Sequence, residues 1–141
     1  MSSTYYIENF SEVTIMITRG TTPYHSFIIP LIEEEIDTIY VTYLQNGEVI
    51  LDKSRDDMTI TNLIDLLGTE LDIEDLTDEE KSSCQVGIHL TQEDTLKFNF
   101  YPAARKNIAV IQIRVKTTDG EAYSSDPIHE RIMGVLKEGE I

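Results

Sequence analysis

The chain has 141 residues, which is enough for one domain with a hydrophobic core and short for two. Its 26 acidic and 11 basic residues give a net charge of −15, which argues against binding to nucleic acid or to anionic membranes, because both attract positively charged surfaces. Hydrophobic residues make up 40% of the sequence and favour a folded protein. The one cysteine, Cys84, excludes an intrachain disulfide and a thiolate metal cluster.

The N-terminal residues and the longest apolar runs indicate where the chain folds. The first residues lack the basic region and apolar stretch of a signal peptide. No apolar run approaches the roughly 20 residues that a membrane-spanning helix needs. Together with the single cysteine, these features predict synthesis and folding in the cytoplasm.

Alternation of apolar and polar residues predicts strands from residue 13 onwards. The first strand covers residues 13–18, and the second covers residues 24–29 and ends before Pro30, which has no N–H for a strand ladder. This period of two is the pattern of a strand with one buried face. The inward residues of the first strand are Val13, Ile15 and Ile17.

A hairpin follows after three glutamates at positions 33–35, which we interpret as a solvated connection. A third strand at 36–45 and a fourth at 48–53 flank Asn46-Gly47. Asn-Gly between two alternating runs is a strong hairpin signal, because both turn residues need a positive φ angle. On the third strand, one face carries Ile39, Val41 and Tyr43.

Residues 62–84 interrupt the alternation and form what we call the acidic insertion. Eight acidic residues and one lysine, Lys81, give this stretch seven of the fifteen net negative charges. Its apolar residues recur at mixed helical spacing, which predicts one or two short helices or an irregular flap. A calcium-binding loop needs a mid-loop glycine that the stretch lacks, so we expect weak divalent cation binding at most. The candidate ligands are Asp72, Glu74, Asp75 and Asp78.

The second half of the chain resumes the strand pattern. Val86, Ile88 and Leu90 alternate, and Thr91-Gln-Glu-Asp94 has the spacing of a helix capping box. The longest strand is predicted at residues 108–117 and turns at Asp119-Gly120 into a second hairpin. Its inward residues are Ile111, Ile113 and Val115, and the last strand contributes Ile128 and Ile132, with Gly134 as a candidate bulge.

These elements predict an all-β protein, an immunoglobulin-like β-sandwich of seven or eight strands with a short helical turn and the acidic insertion. Tryptophan is absent and there is one cysteine, so the sandwich is of a disulfide-free kind. The predicted organisation is an N-terminal segment at 1–12 and a single domain at 13–141, with the acidic insertion at 62–84.

No combination of residues predicts a reaction centre, a cofactor site or a specific metal site. His25, His89 and His129 alternate with apolar neighbours, so we expect surface histidines on separate strands rather than a zinc cluster. Cys84 lies among carboxylates, which raise a thiol pKa, so we expect a buried or half-buried residue rather than a nucleophile. Asp56 and Asp57, read as strand neighbours, would point to opposite faces and could not flank one glycosidic bond.

Three aromatic residues lie ahead of the first predicted strand. Tyr5, Tyr6 and Phe10 are candidate interaction residues, because such a segment either adds an edge strand or docks on a neighbouring protein.

Several motifs together resemble a family of small β-sandwich proteins encoded in phages and prophages of Gram-positive gut bacteria, usually among virion structural genes. They are Thr18-Arg-Gly-Thr-Thr-Pro23 with His25 and Phe27, Val41-Thr-Tyr-Leu-Gln-Asn-Gly47, Leu90-Thr-Gln-Glu-Asp-Thr-Leu96 with Phe98, and Ile111-Gln-Ile-Arg-Val115 with Asp119-Gly120. The acidic insertion departs from the shorter connection expected of this family.

The resemblance implies a non-enzymatic virion structural protein in a tail, baseplate or related particle, without catalytic residues or a cofactor. Its expected partners are other phage structural proteins or further copies of itself, and its expected location is the cytoplasm and then the virion. The alternative is a carbohydrate-binding or adhesin-like module, in which Tyr24, Tyr40 and Tyr43 would replace tryptophan as sugar-stacking rings. A hydrolase would need a nucleophile and base that the sequence does not pair.

Overall fold

A computed structural model describes residues 2–6, 16–67, 73–101 and 107–134. Ten strands are present in these ranges. They are β1 (Ser2–Tyr6), β2 (Met16–Thr18), β3 (Tyr24–Ile29), β4 (Ile36–Gln45), β5 (Glu48–Ser54), β6 (Thr59–Asn62), β7 (Cys84–His89), β8 (Ile108–Thr117), β9 (Ala122–Ser124) and β10 (Ile128–Met133). Three short helices accompany them, α1 (Leu63–Leu67), α2 (Asp78–Lys81) and α3 (Gln92–Leu96).

The strands form two sheets that pack face to face. The smaller sheet has the order β1-β3-β7-β6, and the larger sheet has the order β2-β10-β8-β4-β5, with β9 also paired to β8. This is the strand order of an immunoglobulin sandwich, with one sheet of the A-B-E-D kind and one built on G-F-C. One departure is β1, which runs parallel to β3. The predicted all-β sandwich is confirmed.

The core between the sheets is built from the residues that the alternation placed inward. Val41 and Ile111 of the larger sheet are fully buried and pack with Phe27 and Val86 of the smaller sheet. The predicted inward positions that the structure describes are confirmed as buried, namely Ile17, Ile39, Val41, Tyr43, Val86, Ile88, Leu90, Ile111, Ile113, Val115, Ile128 and Ile132.

Both predicted hairpin turns are present. Asn46 and Gly47 have φ angles of 53° and 79° between β4 and β5. Gly120 has a φ of 90° between β8 and β9. Positive φ values explain why asparagine and glycine occupy these turns. By contrast, Gly134 follows the end of β10 at Met133 rather than forming a bulge within it.

The prediction of about seven or eight strands was too low, because one short strand was missed and another was predicted only as one of two alternatives for the N-terminal segment. The segment at 1–12 contains β1, whose Ser-Ser-Thr-Tyr-Tyr sequence has no apolar alternation. Thr59–Asn62 forms β6 at the start of the acidic insertion, on the edge of the smaller sheet. Asp56 and Asp57 lie in a 3₁₀ turn at Arg55–Asp57 and not on a strand, so the argument from opposite strand faces was wrong for them.

The acidic insertion connects β6 to β7 and contains α1 and α2. The prediction of short helices is therefore confirmed. Leu63 and Leu76 are buried, each with 5% exposure, so the insertion has apolar contacts of its own. Among the helices that the structure describes, none is long and apolar enough to cross a membrane.

The capping box at Thr91 is also confirmed, at the start of α3. The Thr91 hydroxyl accepts from the Asp94 backbone N–H at 3.0 Å, and the Asp94 carboxylate accepts from the Thr91 N–H at 3.0 Å. Lys53 of β5 donates to the same carboxylate at 2.9 Å. Burial alone would raise the pKa of Asp94, but the hydrogen bonds from Thr91 and Lys53 hold it below its usual range.

Candidate functional site

A buried polar cluster links the two sheets and corrects the prediction for His25. The His25 side chain is fully buried and points into the core, whereas a surface position was expected. Its Nδ1 lies 2.7 Å from the Tyr43 hydroxyl, and its Nε2 lies 3.3 Å from a carboxylate oxygen of Glu130. These three residues come from β3, β4 and β10, so the cluster joins one sheet to the other.

The protonation and burial of His25 decide what this cluster can do chemically. Burial lowers the pKa of His25 to about 4, so the imidazole is neutral at pH 7. The His25 ring stacks on Tyr43 with a centroid distance of 5.7 Å. Because His25 and Glu130 have no solvent-exposed side-chain surface, a dissolved substrate cannot reach them in this conformation.

Sequence alternation missed His25 because β3 is buried on both faces. The strand lies between β1 and β7, and the successive residues His25 to Ile29 are all buried. Under such conditions the period of two no longer separates inward from outward positions. The available signal was the apolar run Phe27-Ile28-Ile29 that follows Ser26, because three consecutive apolar residues do not fit a strand with one exposed face.

Cys84 is buried, as the sequence indicated. It is the first residue of β7 and belongs to the apolar core. Burial raises the pKa of its thiol to about 12, and the nearby Glu33 adds to the effect. The thiol is therefore protonated at neutral pH and poorly suited to act as a nucleophile.

The other predicted site residues do not converge. His89 and His129 are exposed, as predicted, on different sheets. Within the described ranges, no group of three histidine, cysteine or acidic side chains could hold a metal ion. Of the candidate cation ligands, Glu74, Asp75 and Asp78 are exposed in the acidic insertion, and Asp72 lies outside the described residues.

The N-terminal candidates are placed only in part. The backbone of β1 pairs Tyr5 with Phe27 and Tyr6 with Ile28, so this part of the segment is an edge strand of the smaller sheet. Phe10 lies outside the described residues. Their role as interaction residues stays a prediction.

The outward face of the larger sheet carries a second group of side chains, which we call the outer-face cluster: Tyr40, Thr42, Asp52 and Arg114. The Arg114 guanidinium lies over the Tyr40 ring, 5.5 Å from its centroid. It also lies 3.5 Å from the Thr42 hydroxyl and 4.0 Å from an Asp52 carboxylate oxygen. The Thr42 hydroxyl donates to Asp52 at 2.7 Å, so the four side chains are in contact with one another.

Strand register explains why these residues meet. Tyr40 lies opposite Arg114 on β8, and Thr42 lies opposite Asp52 on β5. All four occupy positions that alternate with the core residues of their strands, so they face away from the core. Tyr40 and the Arg114 side chain are 40% and 53% exposed, which leaves both accessible to a partner. Alternation with the inward residues Ile113 and Val115 predicts that Arg114 points outward, but no sequence signal joins it to Tyr40.

A cavity of about 370 Å³ opens between the ends of the two sheets. Ile29, Leu31, Ile113 and Val115 supply an apolar lining, and Tyr123 of β9 forms part of it. β10 pairs with the first half of β8 only, and the short β9 pairs with the second half. The larger sheet is therefore narrow at this end, which explains the opening of the cavity. The cavity lining offers apolar surface and the hydroxyl groups of serine side chains.

Comparisons with known proteins do not identify a family. No family model matches the chain, and no curated protein matches it. One solved structure that matches the chain comes from a structural study of glycolipid glycan hydrolysis by a family 123 glycoside hydrolase of Clostridium perfringens. It has 9% identity and a TM-score of 0.40, and the match covers 90% of this chain but 23% of the hydrolase chain.

A second similar structure is the V domain of amphioxus IgVJ-C2. It has 11% identity and a TM-score of 0.27 over 84% of this chain and 99% of that chain. Both similarities are too low to support an argument about fold or function. The class of protein is therefore defined by the strand order and the core alone, as an all-β sandwich.

Proposed function

We propose that this chain is a non-enzymatic structural protein of a phage or prophage virion, associated with the tail or baseplate, that acts through protein–protein contacts. The sequence resemblance to phage β-sandwich proteins supports the virion assignment. The outer-face cluster is the single structural observation that supports a contact function. Tyrosine and arginine are the side chains most often found as energetic anchors of interfaces, and here they are adjacent and exposed.

The cluster is suited to binding because it is held in place before a partner arrives. Its residues are on the central strands β4 and β8 and on β5, and Thr42 and Asp52 restrain the guanidinium from one side. A side chain that is already ordered loses less conformational entropy when it binds. Of the predicted interaction residues, Tyr5 and Tyr6 belong to β1, which would provide a further contact at the edge of the smaller sheet. The same role is proposed for Phe10.

The test uses particles purified after induction of the prophage in the host that carries this gene. We expect the chain to be present in stoichiometric amounts by mass spectrometry. A chain with Tyr40→Ala and Arg114→Ala, supplied in place of the natural one, should be incorporated roughly tenfold less. Tyr101→Ala is the matched control, because Tyr101 is 51% exposed and lies outside the cluster. Absence of the natural chain from purified particles would refute the virion assignment.

A carbohydrate-binding module remains the second candidate, because Tyr40 is an exposed ring with a carboxylate and a guanidinium beside it. Of the other two tyrosines expected to stack on sugars, Tyr43 is fully buried and Tyr24 is half-buried. The Arg114 guanidinium already covers one side of the Tyr40 ring. Glycan-array binding that is lost in Tyr40→Ala, together with absence from particles, would favour this candidate.

A further inference from the structure

We infer that the smaller sheet carries a binding site for a neutral oligosaccharide, at the end of its outward face where β7 leads into α3. We call it the Tyr24 site and define it by Tyr24, His89, Gln92 and Glu93. This site is separate from the outer-face cluster, which lies on the larger sheet, so it adds to the proposed contact function.

The floor of the site is the ring of Tyr24, which lies against the sheet because position 87 is glycine. Tyr24 is paired with His89 across β3 and β7, and both alternate with residues that point into the core. A Cβ atom at Gly87 would overlap the Tyr24 hydroxyl group, so the phenol end of the ring occupies the place of a side chain there. Tyr24 is half-buried in this position, and the exposed part of its ring is a flat apolar surface.

The imidazole of His89 forms a wall beside this floor. The two rings are nearly perpendicular, at 80°, and their centroids are 6.1 Å apart. His89 Nε2 lies 3.1 Å from the Thr22 carbonyl oxygen, which can only accept, so Nε2 carries the hydrogen of the neutral ring. Nδ1 is then an acceptor, and it has no hydrogen-bond partner among the described residues. It is therefore available to a hydroxyl group of a ligand.

An open groove of about 660 Å³ continues the site beyond His89. Its lining includes Thr22 from the turn before β3, the buried Leu90, and Gln92 and Glu93 of α3. The Gln92 amide can donate and accept, and the Glu93 carboxylate accepts. This mixed set of groups suits hydroxyl groups, because each hydroxyl both donates and accepts.

The charges of the site favour a neutral ligand. Among the described residues that line the groove, Glu93 is the one with a full charge when histidine is neutral, and that charge is negative. The chain as a whole carries −15, so phosphorylated or sulfated ligands are repelled. Lysine and arginine are absent from the same lining residues, so no cation is present there to pair with an anion.

An apolar ring beside hydroxyl-binding groups matches the two kinds of surface that a sugar presents. The C–H face of a sugar ring is apolar and can rest on Tyr24, whereas its hydroxyl groups lie at the ring edge and can reach His89, Gln92 and Glu93. Tyr24 contacts His89 but does not line the groove, so the floor and the groove lie side by side. A ligand that uses both therefore contains at least two sugar units.

The test is a calorimetric titration of the purified chain with neutral trisaccharides of glucose, galactose, mannose or N-acetylglucosamine, and with their sulfated counterparts. We expect a neutral trisaccharide to bind and its sulfated counterpart to bind about tenfold more weakly. Tyr24→Ala, and Gln92→Ala with Glu93→Ala, should each weaken the neutral trisaccharide about tenfold, through the loss of the ring or of the polar groups. Tyr101→Ala and Glu121→Ala are matched controls, because both residues are exposed and lie outside the site.

Circular dichroism and a thermal melt of each variant establish that it is folded before its affinity is interpreted. The inference is overturned if no neutral trisaccharide binds, if the sulfated counterparts bind equally well, or if the site variants bind like the natural chain. Binding that is lost in Tyr40→Ala and kept in Tyr24→Ala would place the sugar on the larger sheet and also overturn it. The virion assignment is tested on purified particles and does not depend on these titrations.

Discussion

At the scale of single residues, burial decides what each titratable side chain can do. His25 and Cys84 both lie in the core, and burial shifts their pKa values in opposite directions, to about 4 and about 12. The cause is the same in both cases, because a low-dielectric interior disfavours the charged form of each group. Both residues are therefore neutral parts of the packing, in contrast to Arg114, whose side chain is exposed on the surface.

A pair of substitutions tests the assignment of strand faces. Ile113 is 1% exposed on β8 and packs in the core, so Ile113→Ala should lower the free energy of unfolding by about 2–5 kcal/mol through lost contacts and a residual cavity. His89 is exposed on β7, so His89→Ala should cost less than about 1 kcal/mol. Urea denaturation of the two variants measures both values. A larger loss for His89→Ala would mean that the faces are assigned the wrong way round.

At the scale of elements, the short helices are held by contacts of different strength. α3 is tied to β5 by the Lys53–Asp94 pair and to the turn after β2 by Thr95, whose hydroxyl donates to the Thr21 carbonyl at 2.9 Å. α1 and α2 lie in the acidic insertion, whose buried leucines, Leu63 of α1 and Leu76 ahead of α2, are not members of the main core. The insertion should therefore be less important for folding than α3.

Replacement of residues 64–82 by a short glycine–serine linker tests this difference. We expect a cooperative thermal melt with a moderately lower midpoint, because changes in surface-loop length cost little closure entropy while the burial of Leu76 is lost. The replacement retains Asn62, whose carboxamide oxygen accepts from the Glu33 N–H at 2.7 Å. Differential scanning calorimetry measures the transition. A broad transition with dye binding to exposed apolar surface would show that the insertion covers the core.

At the scale of the whole molecule, a buried polar cluster joins the two sheets in addition to apolar packing. The cluster predicts how stability depends on pH. The pKa of His25 is about 4 in the folded chain and 6.5 in an unperturbed one. Between these values the unfolded chain binds a proton that the folded chain does not, so stability falls as the pH falls from 6.5 to 4.

Protonation of His25 should lower the free energy of unfolding by about 3 kcal/mol as the pH falls from 6.5 to 4. Above pH 6.5 His25 does not make stability depend on pH. Urea denaturation at pH 7, 6, 5 and 4 measures the slope for the natural chain and for His25→Gln, which cannot take up the proton. The slope should be smaller in His25→Gln, whereas His89→Gln, an exposed control, should behave like the natural chain. Equal slopes for the natural chain and His25→Gln would contradict the prediction. Asp94 makes stability depend on pH in a separate, more acidic range. Its pKa is lowered in the folded chain, so the stability that its ionised carboxylate provides is lost only when the pH falls below the ordinary range of an aspartate.

Much of the fold could be predicted because its signals are local. The Asn46-Gly47 turn needs two positive φ angles, and the inward residues of β4 and β8 repeat every second position, so neighbouring residues are sufficient to specify both. The same is true of the capping box at Thr91. β6 was missed, and β1 was predicted only as one of two alternatives, because both are short edge strands that are recognised by what they pair with and not by their composition.

Local patterns in the sequence were enough to predict the all-β class, the hairpins, the positions of the core residues that alternate, and the acidic insertion with its short helices. Which residues meet across strands and sheets became visible in the folded chain. His25 joins Tyr43 and Glu130 because three strands distant in the chain converge in the core, and Arg114 meets Tyr40 because β8 pairs with β4 in one register. The physical reason is that periodicity records which face a residue occupies, whereas its partners depend on strand order and register, which long-range contacts set.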